Sequence, residues 1–515
     1  MKRTSLFFLS LMMTAGLFAQ TAEDALTIAQ EYYEGTARTM AMGNAFTALG
    51  GDLGAIGLNP AASGVLRWSQ ITFTPSLTTS RSAVDYLGRS SSAKNTGLTV
   101  SNFGTAISFD TGRYNGLRSY SFGLVYNKQS SYRSVMKAAG STDQTSMLSS
   151  LAAGLEGIEW PDLEKDNRPF VSTGASWPSI LAWNTYVLAP LSTLGGKYAG
   201  VDDAYIASTE NYDPDTDELR IGGRLDQRFI RRSAGSNEAF SLNFGGNVND
   251  ILYFGANVNF YTVDRIVEEY YEESAANPAQ FDDGFVSMDN SFWLRTSGAG
   301  VNMKFGLILA PFKGLRLGAT VSTPVWYTLT DSWDYTMNTS FDNGNTYTAY
   351  SPTGTYDYRV TAPMRWSVAA AYTFFGKGLL SADYERVNYA GTRLAERRGS
   401  EGVFAGENEY IEQNFTAAGI FRLGAEIRAT DRLSLRGGYQ NYAPAVKGAS
   451  GRSAWSAGFG YLFSPAFSLD LAWTRLSDTT DSFRLYGDYS PAVEVPTGTN
   501  THSLNKIVCT LGIKF

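Results

Sequence analysis

The sequence predicts an all-β protein: a transmembrane antiparallel β-barrel of about 14 strands, with an N-terminal hatch (plug) inside the lumen. Three observations carry the prediction. Runs of about ten residues alternate in polarity, as strands between lipid and an aqueous lumen must. The connections between them alternate short and long. The first residues read as an export signal, and no later stretch is long and apolar enough for a membrane helix.

The export signal comes first. Lys2 and Arg3 precede an apolar stretch from Leu6 to Leu17. Residues 1–19 are therefore expected to be a signal peptide, cut near Ala19 or Gln20. The 515 residues include 52 glycines, and Phe, Trp and Tyr make up 14%. That composition suits an all-β chain. A net charge of -7 argues against nucleic acid as a partner. Cys509 is the single cysteine and His502 the single histidine, so an internal disulfide and a His-rich metal site are excluded. Any Ser-His-Asp triad would have to use His502, which is expected in a solvated loop. No catalytic residue, cofactor or metal ligand is assigned, and the protein is not expected to be an enzyme.

Residues 20–67 do not alternate. "GTARTMAMGNAFTALGGDLGAIGLNPAASGV" is dense in Gly and Ala, as a compact plug requires. Asp52 is placed to cap a short helix running to about Leu58. Pro60 pushes Asn59 out of helical geometry, and the Asn59 side chain can close a turn. The Gly51, Gly54, Gly57 spacing is not a nucleotide loop, because no strand precedes it and no Lys follows.

The barrel is expected over residues 68–515. Its strands begin near Trp68, Gly97, Leu117, Glu238, Ile251, Ser291, Gly314, Thr355, Gly378, Asn414, Arg432, Arg452, Ala466 and Ser503. Tight turns fall at "VNDI", "APFKGL", "FFGKG", "ATDR" and "FSPAF". Long loops are expected at 131–237, 263–290, 331–354, 390–413 and 478–502. Short turns on one side and long loops on the other are the pattern of an outer-membrane barrel. The last run, Asn505 to Phe515, puts Ile507, Cys509, Leu511, Ile513 and Phe515 on one face. That face meets lipid, and the strand pairs with the first to close the sheet, since unpaired backbone in hydrocarbon costs several kcal/mol per group.

The same alternation turns Lys304, Arg316, Arg365, Arg422, Arg428, Arg432 and Arg436 inward, with Asp383, Glu385, Glu426 and Asp470. These residues either pair across strands and stiffen the wall, or one arginine, Arg422 or Arg436, holds a substrate carboxylate. Gly123 could mark a bulge in the third strand. Glu268, Glu269, Glu272 and Glu273 are read as a solvated loop cluster rather than a calcium site.

The glycine-rich segment with Asn59, Pro60 and Ala61 resembles the hatch of the FadL family of outer-membrane transporters for long-chain fatty acids and other hydrophobic compounds. Asn-Pro-Ala alone is weak, since it recurs at Asn277, Pro278 and Ala279, but its context is specific. "TAPMRWSVAAAYTF", "FRLGAEIRATDRLSLRGGY" and "SAGFGYLFSPAFSLDLAWTRL" are also similar to that family, most closely its Bacteroidota branch. The resemblance implies passive uptake of a hydrophobic small molecule, a fatty acid or detergent-like compound. It would be caught by outer loops, bound in an apolar pocket beside the hatch and released laterally near a kink in the third strand. Trp160, Trp177, Trp183, Tyr186 and Leu188 are candidates for the capture groove, or pack their loop on itself. "SMLSSLAAGLEG" is expected to form a short helix. Arg220, Arg224, Arg228, Arg231 and Arg232 face lipopolysaccharide phosphates or acidic loops. The terminal Phe515 resembles the signal read by the barrel assembly machinery. Outer-membrane lipid and lipopolysaccharide are the expected surroundings, and a monomer the expected state. An adhesin whose function lies in its loops, or a barrel enzyme, are the competing readings.

Overall fold

The structure is a computed structural model that describes residues 8–10, 21–164, 169–216, 218–398, 402–490 and 493–515. Apart from Phe8–Ser10, the expected signal peptide lies outside the described residues. The chain forms a closed antiparallel barrel of fourteen strands. They are β1 (Gln70–Tyr86), β2 (Arg89–Asp110), β3 (Leu117–Ser131 resuming as Ser134–Thr142), β4 (Leu225–Val248), β5 (Leu252–Ala275), β6 (Phe285–Phe312) and β7 (Leu315–Ser322 resuming as Val325–Phe341). The ring continues through β8 (Gly354–Ala362 and Arg365–Phe374), β9 (Gly378–Asn388 and Arg393–Glu396), β10 (Ala417–Arg428), β11 (Leu433–Tyr442), β12 (Arg452–Ser464), β13 (Phe467–Arg484) and β14 (Thr497–Lys514). It closes where β14 pairs with β1, from Lys514 opposite Gln70 to Thr499 opposite Asp85. Phe515 N–H extends that seam by donating to Ser69 O at 2.9 Å.

Alternation sets the two faces. Ile71, Phe73, Leu77, Phe240, Leu242, Met303, Phe305, Leu307 and Leu423 are exposed on the outside. Their neighbours Thr72, Ser241, Asn243, Asn302 and Arg422 are buried toward the lumen. An outward apolar band around a closed sheet is the arrangement hydrocarbon permits.

Several expected loops are walls. The strands β4 and β5 have 24 residues each and β6 has 28, against the ~9–11 that cross a bilayer. Arg228, Arg231 and Arg232 therefore lie on β4, not in a loop, opposite Glu272, Glu269 and Glu268 on β5. Arg231 pairs with Glu269 at 3.2 Å and Arg228 with Glu272 at 3.7 Å. Short and long connections do not alternate strictly either. The β1 and β2 strands meet in a two-residue turn at the loop end, with Leu87 and Gly88 both left-handed (φ 47° and 72°). Such a turn matches the twist of a hairpin, so β1 and β2 form one tall hairpin. Arg428 and Arg432 are exposed at the β10–β11 turn rather than turned into the lumen.

The residues between β3 and β4 fold into a cap over the loop end. After the helices α1 (Ala22–Ala29), α2 (Ala37–Ala41) and α3 (Leu53–Leu58) of the N-terminal segment, the cap supplies α4 (Met147–Ala153), α5 (Trp160–Glu164), α6 (Pro169–Thr173) and α7 (Trp177–Asn184). The helix α8 (Ala405–Asn414) follows in the β9–β10 loop. The cap core joins Leu148, Leu151, Ile180 and Leu181 to wall residues Tyr86, Phe229, Tyr271 and Phe483.

Candidate functional site

Residues 21–66 run through the lumen. Thr21 and Asp24 form a capping box that starts α1. Asp52 caps α3, accepting from Gly54 N–H at 2.8 Å and from Thr36 Oγ1 at 2.7 Å. Asn59 Oδ1 accepts from Ala61 N–H at 2.9 Å, closing the turn at Pro60. The whole of α3 is buried.

The wall receives this segment through side chains that satisfy its backbone. Asn243 Nδ2 donates to Pro60 O at 3.0 Å, Asn257 Nδ2 to Ile56 O at 2.9 Å and Lys304 Nζ to Gly57 O at 2.7 Å. Arg316 donates to Leu49 O. Asn59 Nδ2 donates to Thr47 O at 2.6 Å and to the wall carbonyl of Leu307 at 3.2 Å. Close approach depends on missing side chains. The register sets Gly245 beside Gly255 and Gly255 beside Gly306, all facing inward. A Cβ on Gly306 would strike Asn59 Oδ1, and one on Gly255 would strike Pro60 O. Across the lumen Gly424 and Gly438 form a second such pair, against Met42 and Gly43.

Four charges on the segment are matched by the wall. Asp24 pairs with Arg265 at 2.5 Å. Glu31 meets Arg365 at 3.4 Å, and Arg365 shares Glu385 with Arg422 at 2.9 and 2.8 Å. Arg38 binds Glu426 through two bonds, at 2.9 and 3.0 Å. Glu426 also meets Arg436 at 2.6 Å, and Arg436 meets Asp470 at 2.5 Å. Glu34, fully buried, pairs with Lys506 and accepts from Ser101 Oγ at 2.7 Å. Burial pushes the Glu34 carboxyl up, but the ammonium groups of Lys506 and Lys128 outweigh this and hold it below its ordinary range. Arg422 and Arg436, the candidates for a substrate carboxylate, are thus each engaged by wall carboxylates. Sequence reasoning missed Asp24, Glu31, Glu34 and Arg38. Their signal was charge inside a segment otherwise made of small residues.

A cavity of about 20 Å³ lies against Glu31, Tyr33, Lys304, Arg365, Glu385 and Arg422, room for about one water. Its lining is charged, because the inward positions of β8–β10 at this height are the wall's ion pairs.

The wall has a seam between β2 and β3. The β2–β3 ladder runs from Asp110 opposite Ser119 to Asn102 opposite Asn127 and stops. Above it β2 stays with β1, and β3 stays with β4. Two irregularities coincide there. The β1–β2 register shifts at Thr74/Pro75, where Pro75 has no N–H to give, and the shift leaves Ser101 unmatched. The β3–β4 register shifts at Asn237/Glu238, leaving Gln129 unmatched. Gly123, the expected bulge, pairs regularly with Ala106 and Asn243. From inside, the N-terminal segment covers the freed edge. Tyr32 N–H donates to Gln129 O at 2.7 Å, Glu34 N–H to Lys128 O at 2.8 Å, and Ser130 Oγ to Gln30 O at 2.8 Å. From β3, Arg133 leans on Gly97 and donates to Asn95 Oδ1 at 3.1 Å.

In the cap, Trp160 and Trp183 stack at 6.3 Å, and Trp183 meets Tyr205 edge-on at 5.8 Å. Trp177 is half-buried and Leu188 buried, while Tyr186 is 66% exposed. The cap thus buries part of the expected capture surface on itself and leaves Tyr186 outside. His502 lies within β14, not in a loop, with Thr479 Oγ1 3.0 Å from Nε2 and 3.3 Å from Nδ1. Near-equal distances to both ring nitrogens align the hydroxyl with neither lone pair. Among the described residues no group of His, Cys, Asp or Glu has the arrangement of a metal site.

A closed fourteen-stranded barrel with an apolar outer band, and a lumen filled by its own N-terminal segment, is a bacterial outer-membrane β-barrel. Its fold is that of the FadL-type barrels. A Pseudomonas aeruginosa FadL homologue superposes with TM-score 0.54 at 12% identity, over 94% of this chain and 99% of the other. The Pseudomonas putida toluene transporter TodX gives 0.50 at 13%, over 92% and 98%. No protein-family model and no curated protein matches the sequence.

Proposed function

We propose that this barrel takes up hydrophobic small molecules, long-chain fatty acids or similar compounds, without an energy source, and releases them sideways through the β2–β3 seam. The proposal extends to residues 20–67 acting as a hatch, with the turn at Asn59, Pro60 and Ala61 as its wall anchor and Asp52 ordering the helix before it. The observation that carries the reading is the seam itself: an interrupted ladder at membrane height, covered from the lumen by a segment bound there through backbone hydrogen bonds. An unpaired edge in hydrocarbon is costly, so its retention points to use. The small charged cavity supports a closed state, in which an apolar path opens only when the hatch shifts. Trp160, Trp177, Trp183, Tyr186 and Leu188 belong to the cap that cargo meets first. The hydrophobic cargo of the similar structures, toluene for TodX, agrees with this reading.

Glu34 and Lys128 are bridge partners, a pair whose Cα separation of ~4.5–5.5 Å suits a disulfide. In a Cys509→Ser background, Glu34→Cys with Lys128→Cys should bond on oxidation and lock the hatch to β3. Uptake of radiolabelled oleate by intact cells should fall at least tenfold when oxidised and return with reductant. Uptake indifferent to the bond, or small sugars passing freely in liposome swelling, would refute the mechanism.

A further inference from the structure

The geometry points to a binding site for the phosphate groups of an outer-leaflet glycolipid on the outside of the barrel, between Arg81 of β1 and Lys94 of β2. Arg81 and Lys94 are register partners, so their side chains stand on one face of the sheet, side by side. That face is the outer one: Arg81 follows the exposed Ile71, Phe73 and Leu77 at every second position. Like charges directly opposite each other destabilise a strand pair. Some outward or half-exposed cations in this wall meet a carboxylate, as in Arg295 with Asp264, Arg228 with Glu272 and Arg475 with Asp478. Among the described residues, Arg81 and Lys94 have no ion-pair partner.

The two cations border a groove of about 460 Å³ that also includes Ser92, Thr501, Ser503 and Asp478. Ser and Thr hydroxyls add donors suited to phosphate oxygens. The acidic member, Asp478, is already bonded by Arg475 at 3.0 Å. Height selects the source of the phosphate. Leu77 and Leu98 face each other in the apolar band, and Arg81 lies four residues, about 13 Å along the strand, toward the loop end. That is headgroup level in the outer leaflet, where basic clusters bind anionic headgroups. A free anion would gain nothing from this height, whereas a lipid-borne phosphate is delivered there with its acyl chains against Leu77 and Leu98.

The test uses the full-length protein in detergent, titrated with diphosphoryl lipid A, with the same lipid dephosphorylated, and with inorganic phosphate. Native mass spectrometry should show diphosphoryl lipid A bound, with occupancy at least fivefold lower for Arg81→Ser/Lys94→Ser. Arg81→Lys should retain it, and Arg295→Ser, which alters an exposed cation already paired with Asp264, should leave it unchanged. Diphosphoryl lipid A should raise the unfolding temperature of the wild type by several degrees and not that of the double variant. Without lipid the double variant should be at least as stable as the wild type, because the repulsion is gone; this also establishes that it folds. Equal occupancy in wild type and double variant, equal binding of the dephosphorylated lipid, or full competition by millimolar inorganic phosphate would each overturn the assignment.

Discussion

Glu34 and Lys506, 472 positions apart in the sequence, form a buried ion pair that ties the N-terminal segment to the last strand of the barrel. Lys128 adds a second positive charge beside the same carboxylate. Removing one partner of a buried pair costs roughly 3–5 kcal/mol, because the other is left without a counter-charge. Glu34→Gln should therefore lower the unfolding temperature, read from heat-modifiable migration in gels. Glu34→Gln with Lys506→Met should recover much of the loss. A single variant as stable as the wild type would show the pair to be incidental.

Acid should reproduce that change. The Lys506 and Lys128 charges keep folded Glu34 below its ordinary pKa of 4.5. A carboxyl depressed by folding contributes its stability in full above the unfolded value and loses it as pH falls through the folded one. Seating of the segment should thus be constant from neutrality to about pH 5 and weaken below 4.5. Thiol labelling of a Cys placed at Ser101, in a Cys509→Ser background, should accelerate over that range. In Glu34→Gln the labelling should be fast at every pH.

The glycines that admit the segment should separate barrel stability from plugging. Gly306→Val would drive a side chain into Asn59. The expected result is a barrel that still resists unfolding in detergent but passes small sugars in liposome swelling. Gly437→Ala, whose nearest neighbour would be 3.9 Å away, should behave as wild type.

The cap offers a matched pair of tests. Trp183→Ala removes two ring contacts, and loss of a packed aromatic costs ~3–5 kcal/mol. Protease nicking within 143–224 should increase while the barrel band stays intact. Tyr186→Ala, at an exposed position, should leave nicking unchanged and reduce oleate uptake at limiting concentration. Unchanged uptake would remove Tyr186 from the capture surface.

The sequence disclosed the barrel wherever lipid imposed a two-faced pattern. The strands at Leu117, Gly378 and Arg452 begin where alternation placed them, and those at Leu252, Leu315 and Leu433 within one residue. The pattern fades above the membrane, where both faces of a strand meet water or the cap. Arg231 and Glu269 are an example: polar residues on tall strands read as loop. Asp52 as a helix cap and Asn59 as closing a turn were legible from local chemistry. The seam was out of reach, because it needs Pro75, Ser101 and Gln129 at one height, and only three-dimensional register aligns them. The inward glycine row was hidden for the same reason. Gly245, Gly255 and Gly306 are each unremarkable until pairing sets them side by side.

The pair to Lys506 bears on assembly. Thr510 Oγ1 accepts from Ala37 N–H at 2.7 Å on the strand that also joins β1. The same β-strand therefore closes the cylinder and holds the N-terminal segment against it. An assembly intermediate lacking that strand would leave the β1 edge open and the segment without its Lys506 and Thr510 contacts.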